Sequence, residues 1–79
     1  MARQHTFPTD LLKAQTDWYR TYRHLADTTA TSTSGAAAYR RRLLTLSARI
    51  AGHPYWDSSA GTPAARVALK ELARTLAQG

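Results

Sequence analysis

The side chains able to do chemistry in this 79-residue chain are few and scattered. Its carboxylates are Asp10, Asp17, Asp27, Asp57 and a single glutamate, Glu71. Asp10 and Asp17 are spaced so that a helix would carry both on one side, about 10 Å apart along its axis. Such a pair could mimic the two carboxylates of glycoside hydrolysis. The plainer reading is a helix-dipole partner at Asp10 and a solvated carboxylate at Asp17. The histidines, His5, His24 and His53, offer no pair at i, i+3 or i, i+4, so no helical metal clasp is expected. His53 alone has company: Pro54, Tyr55 and Trp56 follow it, and Asp57 is near. A buried histidine beside a carboxylate is a candidate general base. More commonly such a residue bonds a backbone carbonyl at a helix end, where its charge also suits the dipole. The chain has no cysteine, which excludes a disulfide framework, a thiolate zinc site and a cysteine nucleophile. The glycines are isolated at 35, 52, 61 and 79, so there is no glycine-rich phosphate loop. The expectation is a protein with no catalytic residue, no metal and no cofactor.

Charge and aromatics offer binding chemistry instead. Nine Arg and two Lys against five acidic residues set a net charge of +6 and a pI near 10.6. A basic surface favours anionic partners such as nucleic acid or acidic protein faces. Arg, Ala and Thr dominate together, however, as they do where a GC-rich genome sets codon supply. The run Arg40-Arg41-Arg42 would span about 200° of a helical wheel, too broad to meet one phosphate strand. Arg42 and Arg49 share a face with Thr45 between them, and could track a backbone together with Arg20 or Arg23. Base readout looks poor, since the chain has no Asn and three Gln. The aromatics Trp18, Tyr22, Tyr55 and Trp56, with His53, read either as an end cap over the core or, less readily, as a cage for a cationic or aromatic ligand.

The elements that must position these groups are helical. Fifteen of the hydrophobic residues are Ala, which leaves 19 large ones, enough for one small core. The longest apolar run, Gly35 to Tyr39, falls far short of the roughly 20 residues that span a bilayer. The first residues, MARQHTFPTD, have no apolar segment of a secretory signal. Residues 1–6 are expected to be a disordered tail and 7–79 a single domain.

Leu11, Ala14, Trp18, Tyr22 and Leu25 recur at helical spacing, with Leu12, Tyr19 and Ala26 on one flank. Lys13, Thr16, Asp17, Arg20, His24 and Asp27 fall on the opposite side. This predicts a helix over about 9–27, capped by Thr9. The Thr/Ser-rich stretch 28–35 reads as a loop whose Ser32, Thr33 or Ser34 caps the next helix. Tyr39, Leu43, Leu46 and Ile50 form the seam of a second helix, about 36–51, ended by Gly52 in the left-handed region and by His53-Pro54. Thr62-Pro63 starts a third helix, about 63–77, with Ala65, Leu69, Leu72 and Leu76 as its seam. The fold class expected is an all-α three-helix bundle.

The pattern Phe7-Pro8-x-Asp10-Leu11, Ala14-Gln15, Trp18, Thr21-Tyr22, Leu25-Ala26, then Arg41-Arg42-Leu43-Leu44-x-Leu46-Ser47 and His53-Pro54-Tyr55-Trp56, resembles small uncharacterised helical proteins of GC-rich actinobacteria. The resemblance covers residues 7–56. It implies a source and a joint role for the aromatics, and no catalytic residue.

The function expected is that of a cytoplasmic, non-enzymatic protein-interaction module, either an adaptor or a self-associating bundle. Its contact residues would be Leu12, Tyr19 and Leu44 with Arg20, Arg23 and Arg42. The partner would be another protein or a second copy, with no membrane insertion. The alternative is a basic accessory protein that binds nucleic acid without sequence preference through Arg40, Arg41, Arg42 and Arg49. A third reading is an enzyme, or a subunit of one, that uses His53.

Overall fold

The computed structural model describes residues 6–31 and 35–78, and of residues 28–31 the backbone alone. It holds three α-helices, α1 (Thr9–Thr31), α2 (Ala36–Ala51) and α3 (Pro63–Gln78), with a single 3-10 turn at Pro54–Asp57. No strand occurs among the described residues, so the architecture is the expected all-α three-helix bundle. The tail at 1–6 lies, except for Thr6, outside the described residues. Among the described residues no helix is long and apolar enough to cross a membrane.

The helix ends show which local signals decide. Thr9 is already helical, so it is not the cap. Pro8 takes that place, its carbonyl accepting the Leu12 N–H at 3.0 Å, and the Asp10 carboxylate accepts the Leu11 N–H at 2.9 Å. α1 continues four residues past its expected end, to Thr31. Threonine is a weaker helix former than Ala by only about 0.6 kcal/mol per residue, and the chain meets no Gly or Pro before Gly35. Thr28–Thr31 therefore extend the helix instead of forming a loop. Gly35 is the cap residue of α2, at φ 85°, a left-handed conformation that glycine adopts without strain. Ser32, Thr33 and Ser34, the expected caps, lie outside the described residues. Gly52 ends α2 at φ −89°, not in the left-handed region. The stop comes instead from His53, extended at φ −69° and ψ 136° as a residue before proline must be. α3 starts as the sequence predicts: the Thr62 hydroxyl accepts the Ala65 N–H at 3.1 Å, with Pro63 at the first helical position.

α1 is the shared helix. It packs against both α2 and α3, whereas α2 and α3 make at most glancing contact with each other. Three side-chain pairs run in opposite order along α1 and α2: Asp10 with His53, Trp18 with Ser47, and His24 with Tyr39. The two helices are therefore antiparallel. α3 instead lies across the first half of α1: the Arg20 guanidinium donates to the Leu76 carbonyl at 3.4 Å. Beyond Thr21 no described residue of α1 is fully buried.

This arrangement explains a core rich in alanine. Leu11 and Leu69 are the largest fully buried side chains, and around them sit Ala14, Leu46, Ala65, Ala73 and Ala77. Small residues let α3 approach α1 closely. They also rotate α3, so that its buried seam steps by four through Ala65, Leu69, Ala73 and Ala77. Leu72 and Leu76, expected in the seam, are 40% and 43% exposed. Because α1 is covered from two sides, its buried surface includes Gln15 and Thr16. Thr16, expected to face water, is roofed over, and its hydroxyl is satisfied by the Leu12 carbonyl at 2.8 Å.

Candidate functional site

Since α2 and α3 flank α1 with at most glancing contact between them, a groove opens there. It has a volume of about 440 Å³ and is open to solvent. α1 supplies the floor with Gln15, Trp18 and Tyr19; α2 supplies Ser47, Ile50 and Ala51; α3 supplies Arg66, Leu69 and Lys70. Trp56, from the 3-10 turn, closes one end. No carboxylate lines the groove.

Both tryptophans are held in place. The Trp18 indole N–H donates to the Ser47 hydroxyl at 2.9 Å, which ties α1 to α2. Its ring stacks on Tyr22 (centroids 5.5 Å apart, 4° between planes) and meets Tyr19 edge-on. The Trp56 indole N–H donates to the Ile50 carbonyl at 2.6 Å, near the end of α2. Tyr55 packs against the Trp56 edge, and the Arg66 guanidinium lies 4.6 Å from the Trp56 ring centre. Tyr55 also meets Phe7 at 5.6 Å, so the residue two before α1 packs on the connector. Gly61 lets the connector double back: a Cβ there would fall 2.5 Å from the Tyr55 carbonyl oxygen and 2.6 Å from Trp56 Cα. Only glycine fits that close approach.

The apolar surface continues past the groove by helical register. Tyr22, 54% exposed, stands one turn beyond Trp18 on α1. Leu44, 72% exposed, shares its flank of α2 with Ser47 and Ala51. Val67 adjoins Arg66 and Lys70 on α3 and is also mostly exposed. By register, three of the five large apolar residues exposed among the described residues thus stand beside one groove.

The six interface residues read from the sequence divide between two places. Tyr19 and Leu44 belong to the groove and its rim, and Arg23 lies one turn beyond Tyr19. Leu12 and Arg20 instead line a shallow depression with Lys13, Asp17 and Leu76. Arg42 joins that second place, its guanidinium 3.8 Å from the Asp17 carboxylate, which Lys13 also contacts at 3.1 Å. The aromatic set divides as well. Tyr55, Trp56 and His53 sit at the connector, while Trp18 and Tyr22 stack midway along α1. Tyr22 is too exposed to cap a core. Arg66 already occupies one face of Trp56, where a cage would hold a foreign cation.

His53 has a structural role. Its Nδ1 accepts the Tyr55 backbone N–H at 3.0 Å, capping the 3-10 turn, so the ring proton sits on Nε2 and is donated to Asp10 Oδ2 at 3.0 Å. The lone pair that a general base would use is therefore occupied by the backbone. The expected carbonyl contact is replaced by this N–H contact and by Asp10, not Asp57. The His53 hydrogen bond is the main reason that the Asp10 carboxyl is held below its ordinary range. Asp10 and Asp17, each engaged elsewhere, do not form a carboxylate pair.

Of the arginine run, Arg40 shares the groove-side flank of α2 with Leu44, whereas Arg42 turns to Asp17. Arg41 and Arg49 are exposed. The groove residues that sequence reasoning missed are Gln15, Ser47, Ile50, Ala51, Arg66, Leu69 and Lys70. Only the i, i+4 pair Arg66 and Lys70, close after Trp56, left a signal to find.

Fold and site together give a small helical bundle with an open, largely apolar groove that carries Arg66 and Lys70 on its α3 wall. The chain belongs to the DUF8825 family, a domain of unknown function, which matches residues 10–72. Every residue lining the groove lies inside that span, so the groove belongs to the family's domain and not to an added end. Comparison with curated proteins and with solved structures returned no match.

Proposed function

We propose that this protein is a non-enzymatic protein-interaction module whose docking surface is the groove between α2 and α3. The observation that carries the reading is the groove itself. It brings two fixed tryptophans and the apolar Ile50 together, and by helical register the exposed Tyr22, Leu44 and Val67 stand beside it. Interface centres are enriched in this kind of residue, with Trp, Tyr and Arg foremost. Contiguous exposed apolar surface on a small domain marks a binding site more often than it marks chance. The setting proposed is the cytoplasm of a GC-rich actinobacterium, supported by composition alone.

The nucleic-acid alternative has less support. Asp17 engages Arg42, and Arg40 and Arg42 lie on different flanks of α2, so the run 40–42 does not present one row to a phosphate backbone.

Position-dependent photocrosslinking in the host cell tests the proposal. A photoreactive residue is placed in turn at Leu44, at Val67 and, as control, at exposed Thr45, on the flank of α2 that Arg42 shares and that turns from the groove. One protein adduct of fixed mass from Leu44 and Val67, absent from Thr45, is expected. Adducts that form equally from Thr45, or none from any position, would overturn it.

A further inference from the structure

We infer that the occupant of the groove is an acidic amphipathic helix of a partner protein, lying along the α1 face formed by Trp18, Tyr22 and Ala26. This deepens the reading above and rests on it.

Charge selects the sign of the partner. Arg66 and Lys70 stand on the α3 side of the groove and Arg40 on the α2 flank beyond it, and no carboxylate lines it. The neighbouring Asp17 is turned to the other face and engaged by Lys13 and Arg42. An apolar ligand edged with carboxylates gains complementary contacts along the α3 wall, and from Arg40 where it reaches past the groove. A second copy of this chain would bring a net charge of +6 to a rim that is already basic. Like-charge approach of that kind is disfavoured.

Backbone chemistry selects the shape. A peptide that docks as an added strand needs a sheet edge, and no strand occurs among the described residues. The walls here are helices whose backbone groups are already paired internally. A helix satisfies its own N–H and C=O groups and asks nothing of those walls.

Geometry supplies the place. α3 covers only the first half of α1, so beyond Thr21 the open face of α1 lacks the third helix that would complete the bundle. From Gln15 to Ala26 that face runs about 16 Å, three turns of a docked helix. Trp18 and the stacked Tyr22 present their rings to an apolar anchor on it.

The test uses the intact chain and amphipathic helical peptides about four turns long. All share one Leu/Phe face and differ only in a Glu/Asp, Gln or Lys/Arg polar face. Binding is read from the fluorescence of Trp18 and Trp56, the two tryptophans of the chain. The acidic peptide is expected to bind at least about tenfold more tightly than the neutral one and to weaken as salt rises. Replacing Lys70→Glu alone, or Arg66→Glu with Lys70→Glu, should shift the preference toward the basic peptide. Circular dichroism checks the fold of each variant. Equal binding of all three peptides, preference for the basic one, or no peptide binding would overturn the inference. So would tryptophan perturbation by duplex DNA or RNA instead, or by concentration-dependent self-association that Leu44→Asp abolishes. In each of these cases the crosslinking result stands separately, so that failure of the helix assignment is distinguishable from failure of the docking surface.

Discussion

Two ends of this molecule are built from the same kind of helix and packed very differently. Around Leu11 and Leu69 three helices and the connector meet, and side chains there are sealed from water. Beyond Thr21 only α1 and α2 remain, paired through contacts such as His24 on Tyr39. There Ala36 is the one fully buried described residue. The overall dimensions, 46 × 26 × 18 Å, reflect this arm standing out from the packed end. The difference teaches where stability resides and where the proposed docking surface opens. The packed end holds the fold together, and the groove opens where α2 and α3 part over α1.

The largest effect should separate the two ends directly. Leu69→Ala removes a side chain that is 1% exposed and should cost about 2–5 kcal/mol in denaturant unfolding. Leu43→Ala, half-buried in the arm, should cost less than half as much. Equal losses would mean that the arm shares the core, and the distinction between the ends would be lost. Next, Gly61→Ala forces a Cβ into the Tyr55 and Trp56 backbone. It should cost about 1–3 kcal/mol and shift the Trp56 emission, because the connector must move away from α2. A melt unchanged from the parent would place the connector elsewhere.

The smallest effect concerns the link between Asp10 and His53, which joins the start of α1 to the connector. Asp10 releases its proton more readily in the folded chain than at its ordinary value of 3.8. Its contribution is therefore complete above that value and declines as pH falls through the lower, folded value. Thermal melts between pH 6 and pH 2 should show the parent losing slightly more stability in acid than Asp10→Asn. Identical profiles would mean that the bond contributes nothing measurable, as is common for exposed pairs.

Much of this organisation was legible in the sequence. Apolar spacing identified all three helices, and the bounds of α2 agree, because local pattern and capping act within a few residues. Thr62-Pro63 worked for the same reason. The errors arose where tertiary packing overrides the wheel. Leu72 and Leu76 look like core because leucine at steps of three and four forms a seam. The alanines Ala65, Ala73 and Ala77 won instead, since a close helix crossing needs small residues. Thr16 looked solvated because a single stripe was assumed for α1, whereas a helix shared by two neighbours has two buried faces. Leu44 and Tyr19 were legible as interface candidates from their positions off the seams. Their separation from Leu12, Arg20 and Arg42 was not, because it depends on where α3 crosses.

The central claim is that the groove rim serves binding and not folding. The most direct measurement is the double replacement Leu44→Asp with Val67→Asp, both positions being mostly exposed. Unfolding free energy should stay within about 0.5 kcal/mol of the parent, as surface changes do. At the same time, the adduct captured from a photoreactive residue at Tyr22 should disappear. Loss of stability with capture intact would contradict the claim and assign Leu44 and Val67 to the fold.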